Sequence, residues 1–199
     1  MGNKATAYGF IAAAEKAGLK LFLGSYPITP ATDVLHELSK HKSLGVITVQ
    51  CEDEISGCAT AIGASFAGAL AVTTTSGPGV CLKSEAMNLA VITELPLVVL
   101  NVQRGGPSTG LPTKSEQTDL LQALFGRNGE SPMPVIAATS PTNCFDAAYA
   151  ACKMALEHMT PVVLLTDGFV ANGSGSWKLP NLDTYPEIKP QYVTPEMKD

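Results

Sequence analysis

Apolar positions along this 199-residue chain follow two alternating rhythms, one of threes and fours and one of short unbroken runs. Residues 3–17 are Ala-rich with apolar spacing of three and four, and Gly18 stands where a left-handed C-cap belongs, so a helix is predicted. L-K-L-F-L at 19–23 predicts a strand. A second helix is expected to start at Thr29-Pro30, with Thr29 as N-cap and Pro30 in the first helical position, and to carry Val34, Leu35 and Leu38 inward. Beyond it, strands are predicted over 45–50, 69–75, 95–102, 135–138 and 161–166, and helices over 52–67, 79–91, 115–125 and 142–157, with an irregular stretch at 103–113.

Continuously apolar strands alternating with helices of this length predict an α/β fold in one domain, a doubly wound parallel sheet covered by helices on both faces. The pattern stops near Asn172. G-S-G-S-W-K-L-P and prolines at 180, 186, 190 and 195 cannot continue the sheet, so residues 1–170 are expected to form the domain and 171–199 a Pro-rich linker or wrapping arm leading to a missing C-terminal region.

Composition changes this picture little: 45% hydrophobic and 16% charged residues describe a well-buried globular chain. A net charge of −5 without any Lys/Arg cluster speaks against nucleic acid. No apolar run approaches the ~20 residues of a membrane span, and the N-terminus has no leader-like pattern, so a cytoplasmic location is expected. Cys51, Cys58, Cys81, Cys144 and Cys152 are scattered, with no C-x-x-C, and read as small apolar residues rather than disulfides or metal ligands. His36, His41 and His158 lack ligand spacing and are expected at the surface; G-A-S-F-A-G around Ser65 is not a nucleophile elbow.

In an open α/β sheet, ligands bind outside the carboxyl ends of the strands. Four loops there carry unusual text: S-Y-P-I-T-P, Q-C-E-D-E, T-S-G-P-G and V-Q-R-G-G-P-S-T-G-L-P-T. Glu54 opens an apolar helix whose following I-S-G-C-A-T-A-I-G-A would let a flat ring approach, and a partly desolvated carboxyl there can share its proton with a ring nitrogen; acids at a helix N-terminus are also favoured on structural grounds alone. Ser76-Gly77-Pro78-Gly79 is neither a P-loop nor G-x-G-x-x-G, and reads as a tight turn or as a wall of that ring site. Tyr26 to Pro30 places Thr29 as a helix cap or a carboxylate-binding corner. Arg104 follows an apolar strand at the same rim, where its planar fork suits a substrate carboxylate or an ion pair with a rim acid, and the Gly-Gly-Pro-Ser-Thr-Gly after it can close over a site.

Taken together, Y-P-I-T-P, E-D-E-I with A-I-G-A-S-F-A-G-A, T-S-G-P-G, and Q-R-G-G-P-S-T-G-L-P-T followed by E-Q-T-D-L-L resemble the α subunit of 2-oxoacid:ferredoxin oxidoreductases of the 2-oxoglutarate type, over about residues 3–170. The resemblance implies the pyrimidine-binding domain of a thiamine diphosphate enzyme. It implies that Glu54 bonds N1′ of the aminopyrimidine, that Ser76, Gly77 and Pro78 bind cofactor beside it, and that Thr29, Tyr26 and Arg104 contact the 2-oxoacid. It implies oxidative decarboxylation to acyl-CoA and CO2, with coenzyme A and ferredoxin as co-substrates. The G-D-G…N element for magnesium and diphosphate is missing, since Thr166-Asp167-Gly168 has no preceding Gly, and no cysteine set suits a [4Fe–4S] cluster. No metal site is therefore expected in this chain. Mg2+ and the cluster are expected in partner subunits, a β subunit completing the shared thiamine diphosphate site, with a γ subunit or domain as a further candidate partner. Lys114 is a candidate for a distal substrate carboxylate, although a β-subunit residue suits it better. Two other readings stand beside this one: an acetolactate-synthase-like thiamine enzyme, and a non-catalytic assembly module.

Overall fold

The fold is described from a computed structural model, which covers residues 1–193 and Met197; Pro195 of the expected arm lies outside the described residues. Six strands form one parallel sheet in the order β2-β1-β3-β4-β6-β5, with β1 Leu21–Ser25, β2 Val46–Gln50, β3 Leu70–Thr75, β4 Leu97–Gln103, β5 Val135–Ala137 and β6 Pro161–Asp167. The helices are α1 Gly2–Ala17, α2 Thr32–Leu38, α3 Glu54–Phe66, α4 Gly77–Ile92, α5 Leu120–Phe125, α6 Cys144–His158 and a short α7 Gly168–Asn172.

Strand side chains alternate between the two faces and divide the core accordingly. Leu21, Leu23, Leu70, Val72, Val98, Leu100, Val162 and Leu164 point to the layer of α1, α2, α6 and α7. Ala71, Leu97, Val99, Val163 and Leu165 point to the layer of α3 and α4, with Ala123 of α5. The expected doubly wound α/β sheet is thus present, with both faces covered.

The chain leaves β1 towards one face, through α2, and leaves β3 towards the other, through α4. That divergence opens a crevice at the carboxyl ends of β1 and β3, the place where such sheets bind ligands. Close packing below it fixes the start of α3 against the sheet: a Cβ on Gly24 of β1 would lie 2.4 Å from the Gly57 carbonyl of α3. Part of the small-residue face of α3 therefore serves its approach to β1 rather than to a ligand.

Three strands begin one or two residues later than their apolar runs suggest, for one reason. The backbone N–H groups of Leu19, Ala69 and Leu95 still bond the helix before them, to the carbonyls of Ala14, Ala64 and Ala90, so these apolar residues complete helix caps. The helix expected over 115–125 starts only at Leu120. Residues Glu116, Gln117 and Asp119 bond instead to Gly106 N, Asp167 Oδ2 and Asn101 Nδ2, which holds this segment extended across the rim. The described part of the arm packs on α1 and α6, where Ile188 is buried and Trp177 and Tyr185 lie against Phe145.

Candidate functional site

At the mouth of the β1/β3 crevice three side chains converge on Gly79. An ideal Cβ there would stand 2.0 Å from Thr75 Oγ1, 2.3 Å from Tyr26 Oη and 3.0 Å from Glu54 Cγ. Only glycine leaves room for this cluster. The Tyr26 hydroxyl bonds Thr75 Oγ1 at 2.8 Å, and its proton is held more tightly than an ordinary phenol's, first through burial and further through the Glu54 carboxyl; the Thr75 bond works the other way.

Glu54 is the first residue of α3 and half-buried. It is placed by a full capping box: Asp53 Oδ1 accepts from Ser56 N at 2.8 Å while the Ser56 hydroxyl faces Asp53 N. Glu52 and Asp53 are exposed. Ser76, Gly77 and Pro78 are not a free loop. Ser76 is the N-cap of α4 with Gly77 and Pro78 already helical, and the Ser76 Oγ is buried without a hydrogen-bond partner among the described residues. A Cβ on Gly77 would lie 2.8 Å from Asp119 Oδ2, so a carboxylate already faces this helix end. A diphosphate would meet repulsion there, whereas a neutral ring and amine would not.

Thr29 does not cap α2. The helix begins at Thr32, after Pro30, with Ala31 as N-cap and no side-chain cap bond; the Thr32 hydroxyl instead reaches back, accepting from Ile28 N at 2.8 Å and donating to Ile28 O at 2.9 Å. Thr29 is exposed on the rim, and its carbonyl accepts from Arg104 Nη1 at 2.7 Å. Arg104 is buried and gives Nη2 to the Thr109 carbonyl at 2.7 Å; no carboxylate lies within ion-pair distance among the described residues, and its Nε is buried without a partner. The fork thus ties the 26–30 loop to the 104–114 loop. That second loop is folded on itself through the Gly105–Leu111 bridge, with Gly105 N bonded to the Lys114 carbonyl, and Lys114 is exposed. A cleft of about 600 Å3 separates it from α4, lined among others by Gly77, Pro78, Leu82, Arg104, Glu116 and Asp119.

His36 and His158 are exposed as expected, but His41 is not purely a surface residue. It packs edge-on to Tyr8 and lies 3.5 Å from the buried Glu37 carboxylate. All five cysteines are free, with Cys58, Cys144 and Cys152 buried, Cys51 half-buried and Cys81 exposed. The Ser65 hydroxyl is a buried donor to the Pro96 carbonyl. No group of three or more potential metal ligands, and no helix long and apolar enough to cross a membrane, occurs among the described residues.

One site residue escaped sequence reasoning. Lys83 of α4 is fully buried directly beneath the cluster, its Nζ donating to the Glu54 carbonyl at 2.8 Å and to Thr73 Oγ1 at 3.0 Å and lying 5.1 Å from the centre of the Tyr26 ring. A signal existed: Gly79, Lys83, Ala86, Met87 and Ala90 form the buried stripe of this helix, so helical spacing alone puts the lysine inward.

Known proteins share this sequence and this fold. Residues 12–198 match the family described as pyruvate flavodoxin/ferredoxin oxidoreductase, thiamine diP-bdg. The 2-oxoglutarate oxidoreductase subunit KorA of Mycobacterium tuberculosis is 60% identical over 194 residues, covering 98% of this chain and 30% of that protein. The 2-oxoglutarate synthase subunit KorA of Archaeoglobus fulgidus is 42% identical over 182 residues, covering 91% of this chain and 51% of that protein. Among solved structures, the 2-oxoglutarate:ferredoxin oxidoreductase from Magnetococcus marinus, with 2-oxoglutarate, coenzyme A and succinyl-CoA bound, superposes with a TM-score of 0.86 at 36% identity, over 98% of this chain and 34% of that one. The chain belongs to this oxidoreductase family, and it spans from about a third to a half of the length of these relatives.

Proposed function

We propose that this family member supplies the aminopyrimidine half of a thiamine diphosphate site in a 2-oxoacid:ferredoxin oxidoreductase, with 2-oxoglutarate as substrate. The observation that carries the reading is the convergence of the Glu54 carboxyl and the Tyr26 hydroxyl over Gly79, at the crevice where the sheet changes direction. The residues fit the group. Glu54 is half-buried and can hold a proton between itself and a ring nitrogen, while Tyr26, Pro78 and the buried, unpartnered Ser76 hydroxyl offer a flat wall and a polar contact.

When bound, thiamine diphosphate supplies the nucleophilic carbon and the electron sink that decarboxylation of a 2-oxoacid requires. Glu54 orients the ring and moves a proton at N1′. Ser76, Gly77 and Pro78 bound the ring, and Asp119 beyond Gly77 keeps the diphosphate from this helix end. Thr29 and Arg104 stand at the substrate carboxylate, to which Arg104 presents the N–H groups not engaged by Thr29 and Thr109. The overall reaction joins the acyl group to coenzyme A, releases CO2 and passes two electrons, one at a time, to ferredoxin.

Magnesium, the diphosphate ligands and the [4Fe–4S] cluster belong to partner subunits in this reading, with a β subunit completing the site and residues 171–199 leading from the 1–170 domain to further chain. Support for docking comes from apolar side chains exposed on α3 and α4: Ile55 and Leu82 near the site, and Phe66 and Ile92, both above 80% exposed, at the far ends of the same two helices. The cytoplasm is the compartment that ferredoxin-linked chemistry implies. Calorimetry tests the proposal: thiamine diphosphate uptake is expected once the β subunit is added, and its absence from the mixed subunits favours an assembly module instead.

A further inference from the structure

Lys83 presents a physical problem that the proposed reaction leaves open. Its side chain is fully buried, and no carboxylate lies within ion-pair distance of its ammonium among the described residues. Burying a charge in this way costs several kcal/mol, and a methionine of similar length would fill the same space without that cost. What the ammonium touches is informative. Two of its three hydrogens go to the Glu54 carbonyl and to Thr73 Oγ1 of β3, and the third side faces the ring of Tyr26 at 5.1 Å. Two of these three partners carry the functional groups that meet over Gly79, and the third is a fixed point in the sheet.

We infer that Lys83 is a positioning residue for the cofactor ring: it ties the first turn of α3 and the underside of Tyr26 to strand β3, and so sets the height at which the Glu54 carboxyl meets the aminopyrimidine. The side-chain hydrogen bonds of the Asp53–Ser56 capping box run between those two residues and form the helix start. Lys83 adds a link to strand β3 beside the Gly24–Gly57 contact with β1, as a three-way contact for which a neutral side chain has neither the hydrogens nor the charge. Burial weakens the hold of Lys83 on its proton, while Cys58 and Glu54 strengthen it, Glu54 being among the groups near enough to count.

The inference rests on the proposed function and can fail separately from it. In the assembled complex, dissociation constants are measured for thiamine diphosphate and for an analogue with CH in place of N1′. Their ratio reads the bond between Glu54 and the ring and ignores the rest of the cofactor. Lys83→Met is expected to shrink the ratio about tenfold, the worth of one charged hydrogen bond, with affinity for the analogue nearly unchanged. A ratio equal to that of the unaltered complex, or equal losses for both ligands, overturns the positioning role. Absence of any discrimination in the unaltered complex overturns the proposed contact of Glu54 with N1′, and the inference with it. Should Lys83→Met fail to assemble, Thr73→Val decides: it removes one anchor of the ammonium, and a ratio reduced about threefold supports the inference while an unchanged ratio refutes it.

Discussion

Replacing Gly79 by alanine perturbs the cluster with a single methyl group. That carbon would sit 2.0 Å from Thr75 Oγ1 and 2.3 Å from Tyr26 Oη, so both oxygens must withdraw to reach ordinary contact at 3.4 Å or beyond. Both residues are buried, at 0% and 5% exposure, and their mutual hydrogen bond is 2.8 Å long. Overpacking costs about 1–3 kcal/mol and a stranded buried hydroxyl about 1–3 more, against which alanine in a helix returns only about 1 kcal/mol. The net expectation is a loss of about 1–5 kcal/mol, or roughly 2–20 °C in Tm for a chain of this size. Gly63 of α3 is the matched control: it is exposed, helical and has nothing within 4 Å of an added Cβ, so Gly63→Ala should stabilise by about 0.5–1 kcal/mol. Urea denaturation of the two variants in parallel measures both. If Gly79→Ala is as stable as Gly63→Ala, the three side chains do not meet over that glycine.

Two further outcomes are expected. Glu37, bonded first to Lys40 and also to Tyr8 and His41, has its pKa pulled from 4.5 down to about 2 against the effect of burial; its contribution is therefore complete above pH 4.5 and disappears as pH falls towards 2. Glu37→Gln should cost about 1 kcal/mol at pH 7, a modest figure because Lys40 is largely exposed, and denaturation curves at pH 7 and pH 3 should show the gap between variant and parent closing; a constant gap refutes the ionic account. Arg104→Lys keeps the charge but cannot hold the Thr29 and Thr109 carbonyls together while facing a carboxylate, so KM for the 2-oxoacid in the assembled complex should rise about tenfold, and an unchanged KM removes Arg104 from substrate binding.

Much of the fold is legible in the sequence because both rhythms are strong: all six strands are apolar runs, and the helices between them are long enough to fix a doubly wound sheet. What is not legible is decided by contacts distant in sequence. The 115–119 segment has acceptable helix formers, yet its polar side chains reach Gly106, Asp167 and Asn101, and that tertiary bonding overrides local preference. Thr29 is a sound local capping signal, yet its carbonyl is engaged by Arg104, 75 residues away, and α2 starts three residues later with Ala31 at its N-cap. Glu54 could be read because its helix start is encoded in place by Asp53 and Ser56. Lys83 is harder to read, because a lone lysine in an apolar helix suggests a solvated face, although its stripe of neighbours points inward.

The central claim is that Glu54 shares a proton with N1′ of the cofactor, and hydrogen exchange at the thiazolium C2 carbon of thiamine diphosphate bound to the assembled complex reads it most directly. Glu54→Gln is predicted to slow that exchange by at least about 100-fold with subunit assembly intact. Exchange at the unaltered rate in a correctly assembled Glu54→Gln complex would contradict the account.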